Sequence, residues 1–405
     1  MSRTIIDVHV LQTVPPSNLN RDDTGSPKTA LYGGVRRSRV SSQAWKRATR
    51  KAFDILLDPS ELGVRTRKVA EALAERTYAQ DESLKAQEEQ VLAFAAETIF
   101  TATGAKVEAP KRKESKGADK EAAAGPGPAP ESSYLMFLSA RQLDALAKLV
   151  VEGLRSGQDA KAYYKDKLKK AQAKAAANRR HSVDISLFGR MVANTADINV
   201  DAAVQVAHAL GVHAVETESD YYTAVDDRNA ADESGAGMIG TVDFNSSTLY
   251  RYAAVDVDRL RDNLGMGLSD GEKHGTQAVR RAVEAFVEGF VTSLPTGKIN
   301  SFGNHTLPDA VVVKLRINRP ISFVGAFETP VVADATSGHV AGACEALASF
   351  IPAVEGAYGA DKDTSTWVVR AGRATESLSG LGTEVTLSQL VESVGAAIED
   401  RLGGA

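Results

Sequence analysis

Three segments with strand-like alternation lie far apart in the chain, so a sheet built from them draws its strands from opposite ends of the sequence. The first is "TIIDVHVLQT" at 4–13, where Ile6, Val8 and Val10 point one way and Asp7 and His9 the other. The second is "TLYRYAAVDV" at 248–257. The third, "AVVVKLRINRPISF", puts Val311, Val313, Leu315 and Ile317 on one face. Helical patterns separate them: "VAEALAERTYAQ", "EEQVLAFAAETIF", "SARQLDALAKLVVEGLRSG", "DAKAYYKDKLKKAQAKAAANRR" and "GEKHGTQAVRRAVEAFVEGFVTSLP", the last ended by Pro295. "DAAVQVAHAL" reads as a further helix, and the tail predicts helices near 338–350 and 386–402. This order predicts an α+β layer with helices on one face of the sheet and a large helical insertion after the first strand and helix.

Two stretches break the pattern. Residues 105–132 are rich in Lys, Glu, Ala, Pro and Gly, with Val107 as their large apolar residue, and predict a disordered surface insertion. In 213–244, two semi-apolar arms flank a polar, Gly-rich tip, which predicts a long hairpin-like excursion. The 405 residues suffice for more than one domain. A lone cysteine, Cys344, excludes an internal disulfide framework and a Cys-based zinc site, and fits a reducing compartment. The N-terminus has neither a long apolar run nor a small-residue cleavage site. No segment reads as apolar enough to span a bilayer. The expectation is a cytoplasmic protein with no membrane partner.

The usual chemical motifs fail. "GAGMIG" at Gly235–Gly240 has dinucleotide-fingerprint spacing, but "TVDFNSSTLY" after it reads as strand where a helix is required. The seven histidines form no compact metal spacing. There is no nucleophile elbow and no Walker loop. Cys344, in "AGACEALASF", reads as a buried structural thiol. The acid pairs Asp22–Asp23 and Asp226–Asp227 have the chemistry for metal-assisted phosphodiester cleavage. Adjacent carboxylates alone do not define a metal site, and turn capping or Arg pairing is the preferred reading. The expectation is no cofactor and no metal.

The outstanding feature is "YGGVRRSRVSSQAWKRATRK" at Tyr32–Lys51, with seven cations and no acid in a chain of formal net charge −4. A loop carrying Lys28, Arg36, Arg37 and Arg39 leads into a helix N-capped by Ser42. At about 100° per residue, Trp45, Ala48, Ala52, Ile55 and Leu56 form a core face, and Gln43, Lys46, Arg47 and Arg50 the opposite one. With Ser41, Ser42 and the free N–H groups of the helix start, these cations make a continuous track for phosphates. A plain solvated face would carry Glu or Asp at i,i+4, so nucleic-acid binding is the favoured reading.

"NRDDTGSPKTALYGGVRRSRVSSQAWKRATRK", "VDISLFGRM", "YYTAVDDRNAADESGAGMIGTVDFNSSTLYRY" and "LPTGK", in this order, closely resemble the CasC family, the repeated backbone subunit of the Cascade (subtype I-E) CRISPR surveillance complex. The resemblance implies an RRM-like, ferredoxin-like palm from 1–55, 182–212 and 245–405 with C-terminal helices. It implies helical fingers over 56–181, holding the 105–132 insertion, and a hairpin thumb over 213–244. It implies a non-catalytic, antiviral subunit that stacks head to tail into a helical filament on CRISPR guide RNA and contacts other Cascade subunits. Such a subunit flips guide bases at regular intervals and supports pairing with target DNA.

Residue by residue, the resemblance assigns phosphate contacts to Lys28, Ser41, Gln43, Lys46, Arg50 and Lys298, with Asn20 and Arg21 in the matching loop. Met191 matches a residue packing on bases near the kink. Tyr221, Tyr222, Thr223 and Val225 match the thumb segment over the kink, with Met238 and Ile239 on its returning arm. The lysine-rich helix, through Lys165, Lys169 and Lys170, is a candidate target-DNA contact, a solvated helix being the alternative. The rival function is a metal-dependent endoribonuclease backbone using Asp22 and Asp23.

Overall fold

The computed structural model describes residues 3–108, 130–192, 198–224, 238–265, 275–333, 336, 338–359 and 364–403. The chain begins with β1 (Ile5–Ser17), β2 (Thr29–Tyr32), β3 (Val35–Val40) and α1 (Ser42–Leu56). It continues through β4 (Gly63–Thr66), α2 (Val69–Gln80), α3 (Glu88–Thr103), β5 (Val107–Glu108), β6 (Glu131–Ser132), β7 (Met136–Ser139), α4 (Ala140–Arg155), α5 (Ala160–Tyr163), α6 (Lys167–Ala177) and α7 (Val183–Phe188). Strands β8 (Val204–Val206), β9 (Ala209–Gly211), β10 (Glu218–Ala224) and β11 (Met238–Asp256) precede α8 (Val257–Gly265), α9 (Gly275–Thr292) and α10 (Ile299–Phe302). The chain ends with β12 (Ala310–Arg316), α11 (Val340–Tyr358), β13 (Ser365–Arg370), β14 (Thr383–Glu384) and α12 (Leu387–Gly403). It divides into two compact units. One holds Met1–Leu56, Val204–Asp258 and Arg280–Ala405, the other Leu57–Ala203 and Arg259–Val279.

The first unit is built on a sheet of order β14-β13-β12-β1-β11-β9-β3-β2, with β8 and β10 also paired to β11. The three alternating segments are neighbours: β1 lies between β11 and β12, antiparallel to both. Both faces of β1 are buried, including Asp7 and His9. An interior strand accepts these polar residues because their partners arrive from other strands. The Asp7 carboxylate takes hydrogen bonds from Arg316 Nε at 2.7 Å, Tyr252 Oη at 2.8 Å and Ile321 N at 3.0 Å. Arg316 and Lys314 in turn share Glu355, at 2.9 and 3.2 Å.

The expected single helical face is corrected. On one face Leu11, Tyr250 and Val312 pack with Ala343, Cys344, Leu347 and Ile351 of α11. On the other, Val10 stands opposite Arg251, whose guanidinium stacks on Trp45 of α1 and Phe290 of α9. Cys344 is the buried thiol expected, and burial pushes its pKa up to about 12. The view that no segment could cross a bilayer is also corrected. Val340–Tyr358, with mean hydropathy 1.3, is long and apolar enough by length and composition alone. Its inner row is core packing against the sheet.

"DAAVQVAHAL" is not a helix. Val204 and Val206 pair with Val255 and Ala253, so sheet pairing overrides the helix preference of its alanines. The alternation also left out β13, which pairs along β12.

In the second unit, Leu73, Phe94, Ile99, Leu143, Leu146 and Val150 form the core of a helical cluster. Helix α4 begins with a capping box between Ser139 and Gln142. The expected single helix after Gly157 is two, α5 and α6, because Asp159 and Asp166 each cap a new start. Residues 109–129 of the predicted insertion lie outside the described residues. Its ends are strand rather than irregular, since Val107–Glu108 pairs with Glu131–Ser132.

Candidate nucleic-acid interface

The basic helix is oriented by its buried row, Trp45, Thr49 and Phe53. Spaced by four, these define the core direction, and Ala48, Ala52 and Leu56 flank it half-buried. Ile55 does not belong to it: it lies about 120° away by helical geometry and is 89 % exposed. Gln43 and Arg47 are exposed, whereas Lys46 and Arg50 are half-buried. Partial burial pushes the Lys46 ammonium below its ordinary pKa. The cap falls one residue earlier than expected. Ser41 Oγ accepts from Ala44 N at 3.3 Å, and Ser42 is the first helical residue. Ser41 N donates to Asn20 Oδ1 at 2.9 Å, so Asn20 fixes the loop to the helix start.

The segment before the helix is a hairpin, not a loop. Alternation along β3 sends neighbouring arginines to different environments. Arg37 is fully buried and donates to Gly211 O at 3.0 Å, Phe327 O at 3.0 Å and Glu328 O at 3.2 Å. Gly33 has φ +56°, and a Cβ there would stand 1.6 Å from Glu328 O, so glycine lets the turn touch that backbone. Arg36 is exposed and donates to Thr29 Oγ1 at 3.0 Å. Arg39 is half-buried, with Nε on Thr29 O at 3.3 Å and Nη1 3.2 Å from His208 Nδ1. Arg37 therefore holds the fold and leaves the phosphate track.

The loop of residues 18–28 is stapled from beneath. Asn18, fully buried, donates through Nδ2 to Gly25 O at 2.9 Å and Asp243 O at 2.8 Å. Lys28 N donates to Asn20 O at 2.9 Å, and Arg21 bridges to Pro27. The turn bearing "LPTGK" lies against this loop, because a Cβ on Gly297 would stand 2.2 Å from Leu19 O and 2.5 Å from Asn18 O. Lys298 follows with φ 46°, a left-handed conformation that costs a non-glycine residue energy and recurs at functional sites. Asn20, Arg21, Lys28, Ser41, Gln43, Lys46, Arg50 and Lys298 thus lie in one unit, on elements packed together.

Asp22 is a turn former. Its Oδ1 accepts from Thr24 N at 2.9 Å, Thr24 Oγ1 at 2.7 Å and Ser26 N at 3.1 Å. These bonds, Thr24 Oγ1 first, hold its carboxyl below the ordinary range. Among the described residues, no group of three or more His, Cys, Asp or Glu could hold a metal. Asp226 and Asp227 lie outside the described residues, as do Gly235, Ala236 and Gly237 of "GAGMIG". The chain runs on from that motif as β11, not as a helix.

Strands β10 and β11 form the hairpin arms, with Tyr221 opposite Thr241 and Tyr222 opposite Gly240. Tyr221 is 63 % exposed and Tyr222 41 %. The Tyr222 ring lies over Gly240, where a Cβ would meet Cζ at 2.3 Å. Thr223 and Ala224 pair with Ile239 and Met238, and Val225 lies outside the described residues. Asp243 joins hairpin and loop: Oδ1 accepts from Ser219 Oγ at 2.8 Å and Oδ2 from Ser26 Oγ at 2.5 Å. The sequence reading missed this residue, because its partners are distant serines.

Met191 is in the second unit and is 86 % exposed, not core. Lys165 and Lys170 are exposed there as well. Lys169 is engaged, bonded to Glu152 and 5.6 Å from the centre of the Tyr163 ring.

The sequence pattern of the family described as CT1975-like protein matches residues 6–393. The chain belongs to this family. Among solved structures, the CT1975-like chain is 33 % identical to one from a "CRISPR RNA-guided surveillance complex, pre-nicking", with TM-score 0.75, covering 97 % of this chain and 100 % of that one. It is 30 % identical to another, from a "CRISPR RNA-guided surveillance complex", with TM-score 0.67, covering 97 % of this chain and 99 % of that one. No curated protein matches the CT1975-like chain. The family match and these structures bear out the resemblance to CasC.

Proposed function

We propose that this CT1975-like chain is a non-catalytic, RNA-binding backbone subunit of a Cascade-type antiviral surveillance complex in the cytoplasm. In this reading the first unit is the RRM-like palm, the β10–β11 hairpin the thumb and the second unit the fingers. Copies stack head to tail along a CRISPR guide RNA, meet other Cascade subunits and support pairing with target DNA. The observation that carries the reading is the meeting of the 18–28 loop, the α1 start and the Lys298 turn in one unit. Cationic and backbone donors there suit phosphates and carry no base information, as a subunit serving any guide requires. Two exposed tyrosines on a narrow ribbon suit wedging into a base stack irrespective of sequence. The turn role of Asp22 leaves the endoribonuclease reading without a prepared metal site.

The test is binding of the full chain to guide-length single-stranded RNA across a salt series. Lys28→Ala, Lys46→Ala and Lys298→Ala are each expected to weaken binding, alike for scrambled sequences. Each is expected to flatten the log–log salt slope by about 0.7. Unchanged affinity in all three would refute the reading. In divalent metal, RNA complementary to the guide should stay intact, and regular cleavage abolished by Asp22→Ala would establish the nuclease instead.

A further inference from the structure

Strand β11 changes partner along its length. From Met238 to Phe244 it pairs with β10, and from Asn245 to Asp256 with β1. The ladder with β1 is irregular where the change falls, between Val14 and Ser17, across Pro15 and Pro16, which have no N–H to give it. Beyond this junction β10 and β11 have only each other in the sheet, among the described residues. A lone two-stranded ribbon is marginally stable in water, so its direction depends on contacts at its root.

The root is held on both faces. Asp243 and Phe244 are consecutive and project to opposite faces. Asp243 Oδ2 accepts from Ser26 Oγ at 2.5 Å and its Oδ1 from Ser219 Oγ of β10 at 2.8 Å. These serines, Ser26 first, hold the carboxyl below its ordinary range. On the other face Phe244 meets Phe302 of α10, with ring centres 5.9 Å apart. The backbone between the two is pinned as well, since Asn18 Nδ2 donates to Asp243 O at 2.8 Å.

Each face rests on a segment assigned above to phosphates. Ser26 belongs to the loop that carries Asn20, Arg21 and Lys28, and its N donates to Asp22 Oδ1 at 3.1 Å. Phe302 closes the turn that Lys298 opens, with Phe302 N on Lys298 O at 3.2 Å.

We infer that Ser26–Asp243 and Phe244–Phe302 form a two-sided clamp that aims the hairpin and ties its direction to the grip on phosphates. The four are positioning residues, which act on RNA through the hairpin. The inference rests on the RNA-binding reading and adds to it how the hairpin is aimed.

The experiment has two readouts. Spin labels on Thr223→Cys of the hairpin and Ser349→Cys of α11, both exposed, report hairpin direction as a distance distribution. Cys344, buried and with its pKa pushed up to about 12, stays unlabelled. Ile239, opposite Thr223, lies about 17 Å along the strand from Phe244. A swing of about 10° either way therefore widens the distribution by about 6 Å, the change expected for Ser26→Ala combined with Phe302→Ala. Ser219→Ala, which leaves the tie to Ser26, should not widen it. The second readout is binding of the full chain to guide-length single-stranded RNA. If the double variant leaves about a fifth of the molecules correctly aimed, apparent affinity falls about five-fold. In a Tyr221→Ala background the same pair should cost less than about two-fold, because what the clamp aims is already gone. Phe302→Tyr keeps the ring and should match the native chain in both readouts. An unwidened distribution in the double variant, or an equal affinity loss with and without Tyr221, overturns the clamp. Equal widening by Ser219→Ala would place the tie within the hairpin and overturn it too. Lys46→Ala is the reference. If it weakens binding while the double variant does not, the clamp falls and the RNA reading stands. If neither weakens binding, both fall. Should the double variant not fold, Ser26→Ala alone decides.

Discussion

The guanidinium carbon of Arg251 lies 3.8 Å from the centre of the Trp45 ring, so a cation of the sheet forms the floor beneath the basic helix. Arg251 is fully buried and donates to Gln12 Oε1 at 2.5 Å and to Phe290 O. Burial pushes its pKa down to about 9, which still leaves it charged at neutral pH. Trp45→Ala is expected to cost about 3–5 kcal/mol, as for other large buried aromatics. Arg251→Ala should cost a similar amount by leaving its acceptors unpaired. Because the two stack, the double variant should lose less than the sum, by at least about 0.5 kcal/mol in urea denaturation.

Arg36 and Arg37 are adjacent and opposite in role. Arg37→Ala strips donors from three backbone carbonyls and should lower stability by at least about 2 kcal/mol. Arg36→Ala, on the exposed side, should stay within about 0.5 kcal/mol. Denaturation midpoints of the two variants check this, and equal losses would contradict the alternation.

Those arginines also mark how far the sequence could be read. The charge of Tyr32–Lys51 pointed to a polyanion, and the helical period separated Trp45 from Gln43 and Arg47 correctly. Ile55 was misplaced although the helical period alone sets it about 120° from the row of Trp45, Thr49 and Phe53. Arg37 looked like its neighbours, since nothing local announces carbonyls near position 211 or 327. Asp7 and Arg316, 309 positions apart, belong to one buried network that no window of sequence contains. The strands β8 and β9 were hidden for the same reason: three-residue strands take their identity from a partner. The site was legible where it is contiguous, from Asn20 to Arg50. It was illegible where Asp243 ties the loop to the hairpin from far along the chain.

The buried network has a pH signature. Burial, its largest cause, raises the Asp7 pKa from 3.8 to about 6. A carboxyl with a raised folded pKa favours the folded state most when both states are protonated, and that advantage fades as pH rises through the folded value. Asp7 should therefore contribute a loss of about 3 kcal/mol between about pH 4 and pH 6. Subtracting the stability profile of Asp7→Asn from that of the native chain should expose this falling component, and a difference that rises over the window would contradict it.

The Tyr222 ring needs Gly240 beneath it. Gly240→Val places a branched side chain where the ring now lies. The hairpin is exposed there, so the thermal midpoint should move by less than about 2 °C. Binding to RNA should fall by as much as in Tyr222→Ala, since both remove the same platform. Undiminished binding by Gly240→Val would separate the tyrosine from the proposed thumb role.

The place of β1 in the sheet sets a timetable for synthesis. Its partners on β11 lie about 240 residues downstream, and those on β12 further still. At about 5–20 residues per second, the ribosome takes roughly 12–50 s to deliver the first of them. Throughout that interval "IIDVHVLQTV" is an apolar strand with both edges open. The helical cluster between emerges whole in the meantime, apart from its short return at Arg259–Val279. In a cell making many copies at once, the opening thirteen residues of strand are where a nascent chain most needs a chaperone.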